Sequence, residues 1–79
     1  MNIKVLGSGC RKCKKLEEHV NKAITESGVN ATVEKVSDLA AIMAYGVMMT
    51  PALVIDEKVV SSGKLLSASD IKTIIIKGE

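Results

Sequence analysis

The chain has 79 residues. A chain of this size buries only about 60% of the surface it exposes on unfolding, which allows one small sheet and a few helices but leaves little room for a large cofactor. Its formal charge of +2, from 11 basic and 9 acidic residues, points to neither a nucleic-acid nor a membrane partner. With no Trp, no Phe and the single Tyr45, it offers no aromatic platform for stacking on bases.

Met1-Asn2-Ile3-Lys4-Val5-Leu6 lacks the charged, apolar and cleavage regions of a signal peptide, so a cytoplasmic protein is expected. Asn2–Leu6 is mostly apolar, the pattern of a central strand covered on both faces. Gly7-Ser8-Gly9 gives a turn, and over residues 10–27 the apolar positions Cys13, Leu16, Val20, Ala23 and Ile24 recur at helical spacing. Gly28 is the natural stop. Residues 31–36 read as a second strand, whose Thr32 and Glu34 suit a partly exposed edge. Ser37 and Asp38 open a second helix that ends near Tyr45 at Gly46.

Residues 39–55 carry no charge and approach the length of a short membrane span, yet Gly46, Thr50 and Pro51 interrupt them. A helix, a turn and a buried strand in succession fit this stretch better. Ala52-Leu53-Val54-Ile55, Asp56-Glu57 and Lys58-Val59-Val60 read as two strands joined by a tight hairpin. Gly63 breaks the second of them. Ser67 caps a last helix with Asp70 in its first turn and Ile71, Ile74 and Ile75 on its inward stripe. The predicted order is β-α-β-α-β-β-α in one domain over residues 1–79: an α/β fold with a four-stranded mixed sheet and helices on both faces.

The chemistry concentrates in Cys10-Arg11-Lys12-Cys13, which holds the only two cysteines and stands where the first strand turns into the first helix. Unpaired amides and the helix dipole at such a position favour a thiolate. Cys13 falls on the inward stripe with Leu16 and Val20, whereas Cys10 falls on the exposed first turn. Exchange between thiols and disulfides needs an accessible thiolate and then an internal second attack, which assigns Cys10 as nucleophile and Cys13 as resolving thiol. Arg11, Lys12 and Lys14 should lower the pKa of Cys10 further. The simpler readings are a structural disulfide for the pair and a solvated helix face for the cations. His19 falls on the outer helix face with Lys15 and Lys22 and receives no role, and Tyr45, Met43, Met48 and Met49 read as core or rim packing, with Met48 and Met49 as candidates to line a partner groove. Pro51, just before a buried strand, cannot donate a ladder hydrogen bond and belongs at its first residue or at a special turn, cis or trans.

Taken together, Gly7-Ser8-Gly9-Cys10-Arg11-Lys12-Cys13 and Tyr45-Gly46-Val47-Met48-Met49-Thr50-Pro51-Ala52-Leu53-Val54-Ile55 resemble the thioredoxin superfamily, and most closely its minimal redox-active disulfide proteins of archaea and bacteria. The resemblance spans essentially the whole chain, including Gly63. It implies a minimal thioredoxin fold, a cis Thr50-Pro51 bond packed against the active-site disulfide, a Thr50 backbone that pairs with substrate, and a Cys10/Cys13 dithiol–disulfide cycle without further cofactor. It departs from ordinary thioredoxins in having no Trp before Cys10, no Pro within the motif and two cations between the cysteines. No buried acid is evident near the start of the second strand to take the proton of Cys13.

The expected function is a thiol–disulfide oxidoreductase acting on disulfide-bearing proteins, re-reduced by a separate reductase or a small thiol and monomeric so that Cys10 stays accessible. Gly7-Ser8-Gly9 has the wrong glycine spacing for a dinucleotide fingerprint. The competing readings are a soft-metal carrier holding Cu(I), Zn(II) or an arsenic-like thiophile through the two thiolates, and a binding module switched by its disulfide. Heavy-metal-associated domains place a similar motif after their first strand but run β-α-β-β-α-β. The expected helix before Tyr45 argues against them.

Overall fold

The computed structural model describes residues 1–7 and 11–77. Along the chain run β1 (Asn2–Leu6), α1 (Arg11–Ser27), β2 (Thr32–Val36), α2 (Leu39–Ala44), β3 (Ala52–Ile55), β4 (Lys58–Ser62) and α3 (Ala68–Lys77). The four strands form one sheet in the order β2-β1-β3-β4. β1 runs parallel to β2, with Leu6 opposite Val36, and antiparallel to β3, with Leu6 opposite Ala52. The ends of β1 and β2 therefore meet the beginning of β3 at one pole of the sheet.

Strand alternation sends neighbouring side chains to opposite faces, and the core divides accordingly. Ile3, Val5, Leu53 and Ile55 face α1 and α3, where they pack with Leu16, Val20, Ala23, Ile71 and Ile75. Leu6, Ala52 and Val54 face the other way, against Ile42 of α2 and Val47 beyond it. Helices thus cover both faces, α1 and α3 on one and α2 on the other. All four β3 residues are buried, as a strand enclosed on both sides requires. The uncharged stretch 39–55 resolves into α2, a connecting loop and β3.

The hairpin between β3 and β4 turns through Asp56 and Glu57, at φ 48° and 69°. Side chains with a β-carbon pay for this left-handed conformation, and Gly or Asn is the usual choice. Tertiary hydrogen bonds hold the turn instead. The Asp56 N–H donates to the Asn2 carbonyl at 2.8 Å and the Asn2 N–H donates to Asp56 Oδ1 at 2.8 Å. At α3, Ser67 and Asp70 cap one another reciprocally: the Asp70 N–H donates to Ser67 Oγ at 3.1 Å and the Ser67 N–H to Asp70 Oδ2 at 3.4 Å.

Candidate active site

Three segments converge at the pole where β1 ends: Gly7, the first turn of α1, and the loop before β3. The inward stripe of α1 buries Cys13, which is 2% exposed, together with Leu16, Val20 and Ala23. Its sulfur lies against the backbone of Gly7, in space that a β-carbon on Gly7 would have to share with Cys13 Sγ. The Thr50 Cβ lies 4.0 Å from that same point. Gly7 is therefore the floor on which the helix sulfur and the loop threonine approach each other, and any side chain there would force them apart. The Gly7 N–H is engaged with the Val36 carbonyl at 2.9 Å, which fixes this floor to β2.

The Thr50-Pro51 peptide bond is cis. Pro51 is buried at the mouth of β3 and gives up no ladder donor, while Thr50 stays exposed beside it. The Pro51 carbonyl accepts from the Gly63 N–H at 2.8 Å, and Gly63, at φ 71°, sits beneath the side chain of Met49. The loops before β3 and after β4 are thereby tied together next to Cys13.

The charges at the start of α1 run against helix stability. Arg11, Lys12 and Lys14 are exposed in its opening turns, no acidic residue stands in its first turn, and no basic one in its last. The macrodipole favours the opposite distribution. The first turn of α1 is consequently a strongly positive locus. Cys10 immediately precedes Arg11 in sequence and lies outside the described residues.

On the α2 side the pole opens into an apolar groove of about 320 Å³ lined by Leu39, Ile42, Met43, Val47, Met48 and Thr50. Met48 is 97% exposed and Leu39 68%, so the groove wall is apolar surface turned to solvent.

A family model described as a thioredoxin domain matches residues 1–76. The chain belongs to the thioredoxin family. Among its relatives, the thioredoxin of Methanocaldococcus jannaschii is 39% identical over 70 residues, covering 89% of this chain and 80% of that protein. The thioredoxin of Methanothermobacter thermautotrophicus is 32% identical over 75 residues, covering 95% of this chain and 97% of that one. This is a family of thiol–disulfide oxidoreductases, and the four-stranded mixed sheet with helices on both faces is its fold in minimal form. The presence of α2 between β2 and β3 separates the chain from the β-α-β-β-α-β order of heavy-metal-associated domains. Among the described residues, which exclude Cys10, no three His, Cys, Asp or Glu side chains gather where they could hold a metal ion.

Within this thioredoxin scaffold several residues differ from their expected roles. Met48, expected in core or rim packing or as a candidate to line a partner groove, is 97% exposed and lines the apolar groove with Met43, and Met43 and Met49 are each 64% exposed. The short α2 turns only Ile42 fully inward, and Leu39 and Met43 are left largely exposed. His19, expected to be a surface residue without a role, is half-buried, and its Nδ1 donates to the Leu66 carbonyl at 2.7 Å, tying α1 to the segment before α3. Tyr45, expected to serve packing alone, joins a polar triangle at the opposite end of the sheet. Lys4 Nζ donates to Tyr45 Oη at 2.8 Å and to Glu57 Oε1 at 2.9 Å, and Tyr45 Oη donates to Glu57 Oε2 at 2.9 Å. The hydrogen bond to Glu57, and then the one to Tyr45, raises the pKa of Lys4 above its ordinary value. That from Lys4, and then that from Tyr45, lowers the pKa of Glu57. Sequence spacing gives no sign of this triangle, because its members come from a strand, a helix end and a turn.

Proposed function

We propose that this protein is a cytoplasmic protein-disulfide reductase, working as one thioredoxin-like domain through a Cys10/Cys13 dithiol–disulfide cycle. The observation that carries the reading is the juxtaposition of Cys13 with Gly7 and Thr50, which sets a shielded sulfur beside an exposed loop at the end of the sheet. Cys10, three residues earlier and next to the cationic first turn, is the attacking thiolate, its pKa lowered by Arg11, Lys12 and Lys14 together with the helix N-terminus.

The thiolate of Cys10 attacks one sulfur of a substrate disulfide and expels the other as a thiolate, leaving a mixed disulfide. Cys13 then attacks Cys10 Sγ, a Cys10–Cys13 bond forms, and the second substrate sulfur leaves with the electron pair. The substrate is reduced and the cysteine pair oxidised. A separate reductase or a small thiol returns the pair to the dithiol, and no other cofactor takes part. Burial of Cys13 suits the resolving role because a sulfur that solvent does not reach cannot compete for external disulfides. Thr50 and the cis Pro51 support an extended substrate segment, and the adjoining apolar groove receives its apolar side chains. The protein acts as a monomer, the default for a carrier that must leave its nucleophile accessible.

The test is covalent trapping. Cys13→Ser incubated with a disulfide-bearing protein should accumulate a mixed disulfide through Cys10, visible as a mass shift that a reductant reverses. A soft-metal carrier would instead lose metal affinity in that variant and trap nothing.

A further inference from the structure

The chain is close to neutral as a whole, but its charge is unevenly placed. The segments that meet where β1 ends are residues 7–15, 37–38, 47–51 and 63–65. They hold five of the 11 basic residues, Arg11, Lys12, Lys14, Lys15 and Lys64, against one of the 9 acidic ones, Asp38. Their formal charge is +4, which leaves −2 for the rest of the chain. All five basic residues are exposed, and the ion pairs among the described residues are Lys4–Glu57 and Lys35–Glu17, so the fold neutralises none of the five. Arg11–Lys14, Arg11–Lys15 and Lys12–Lys15 are like charges at helix-neighbour spacing, an arrangement that works against α1. Tuning one cysteine does not account for it. A thiolate at Cys10 adds a single negative charge, and these segments remain positive.

The two faces of the sheet differ at this pole. α1 lies on one face with α3, and α2 lies on the other. The first turns of α1 present cations. The α2 side presents the groove of about 320 Å³, none of whose lining residues is charged. Cys13 and Thr50 approach each other over Gly7 between the two. A chain laid across the buried sulfur therefore meets cations on one side and apolar side chains on the other. Asp38, exposed next to Leu39 at the start of α2, opposes a carboxylate on the groove side.

We propose that the protein selects disulfides borne by acidic chain segments: protein substrates with carboxylates on one side of the reactive cystine, toward the cations of α1 and Lys64, and an apolar side chain on the other, seated in the α2 groove. The proposal rests on the dithiol cycle proposed above and names its substrate class. The carboxylates take no part in bond making, which passes through Cys10, Cys13 and the substrate disulfide as in that cycle. They act on encounter and orientation, since opposite charge raises the rate of association and excludes wrongly charged partners. Because the cations are exposed, the effect must weaken as salt shortens the Debye length from about 10 Å at 0.1 M to about 3 Å at 1 M. Nucleic acid fits less well. The groove is apolar, and the single aromatic residue, Tyr45, is bonded to Lys4 and Glu57 at the other end of the sheet.

The experiment uses reduced protein and synthetic peptides of one length, each closed by an internal disulfide. The acidic peptide carries aspartates on one side of the disulfide and a leucine on the other, made in both chain orders; lysines or serines replace the aspartates in the basic and neutral peptides. Rates are read by acid quench and mass, each divided by the rate of dithiothreitol on the same peptide, which removes the peptide's own reactivity. At about 0.02 M salt the acidic peptide in its faster order should exceed the basic one about 10-fold or more, with the neutral one between, and the gap should close to about twofold at about 0.5 M. Exchanging its leucine for serine should slow it severalfold. In Lys15→Glu/Lys64→Glu the acidic-to-basic ratio should fall about threefold or more, and a ratio taken on one protein is blind to any change in the reactivity of Cys10. Reduction of all three peptides at equal normalised rates, a preference for the basic one, or a preference that salt does not erase overturns the acidic specificity and leaves the dithiol cycle standing. So does inhibition by an oligonucleotide at lower charge concentration than by the acidic peptide without its cysteines, which would assign the pole to nucleic acid. Failure to reduce any of the peptides, with Cys13→Ser behaving identically, overturns the dithiol cycle itself.

Discussion

The sulfur of Cys13 occupies space that a side chain on Gly7 would claim, so the end of β1 and the first turn of α1 touch only because position 7 has no β-carbon. Gly7→Ala should therefore lower stability by about 1–3 kcal/mol, the usual cost of forcing an extra carbon into a packed site. It should also slow resolution by displacing Cys13 from Thr50. Urea unfolding measures the first effect, and stopped-flow reaction of the reduced protein with a chromogenic aryl disulfide, in which attack by Cys10 and resolution by Cys13 each release one coloured thiolate, measures the second. A variant of unchanged stability and rate would mean that the two segments are not held against each other.

The triangle of Lys4, Tyr45 and Glu57 gives the fold a defined pH window. Glu57 is held below its ordinary value of 4.5, chiefly by the hydrogen bond from Lys4, so its contribution is present above 4.5 and is lost as pH falls through the lowered value. Lys4 is held above its ordinary 10.5, so its contribution is present below 10.5 and is lost as pH rises through the raised value. Urea midpoints should show no contribution from this triangle to pH dependence between those limits and a fall on the acid side that shrinks in Glu57→Gln. An acid limb identical in parent and variant would exclude the triangle as its source. Since Glu57 is exposed, the effect should be modest and weaker in high salt.

Met48 is surface that the fold does not use. Met48→Glu should leave stability within about 0.5 kcal/mol, as expected for an exposed position with few neighbours. If the groove ending at Thr50 receives substrate, the KM for a protein disulfide should rise severalfold while reactivity toward a small aryl disulfide is unchanged. Equal KM values would remove the groove from the substrate path.

Much of the fold is legible because local and tertiary demands agree. The stripe of Cys13, Leu16, Val20 and Ala23 is the buried face of α1, and the uninterrupted apolar run of β3 is buried throughout. The boundaries moved little: β2 begins at Thr32 rather than residue 31, and β4 continues to Ser62 beyond the expected Val60. That extension accompanies an irregularity opposite Leu53 and Val54, whose partners are Ser61 and Val59, and such a one-residue slip leaves no mark on composition. The role of Gly7 as a packing floor, the bond from His19 to Leu66 and the Lys4 triangle were not legible. Each depends on which segments the topology brings together. The packing reading of Met43 misled for a related reason, since an apolar residue on a short helix reads as core whether or not a partner element covers it, whereas Met48 lines the groove that was its alternative reading.

The reciprocal Ser67–Asp70 cap was legible as sequence and opens α3, a different helix from the one that carries Cys13. Ser67→Ala should cost about 0.5–2 kcal/mol in chemical denaturation, the range for losing an N-cap. Attack by Cys10 and resolution by Cys13 should both stay at the parent's rates. Altered exchange would indicate that α3 participates in positioning Cys13.

The central claim is that the Cys10/Cys13 pair catalyses disulfide exchange, and reduction of insulin disulfides by dithiothreitol tests it most directly. Metal-free protein should accelerate the reduction well above dithiothreitol alone, and Cys10→Ser should remove that acceleration while leaving the fold intact. Parent and variant that both fail to accelerate it, or that accelerate it equally, would contradict the claim.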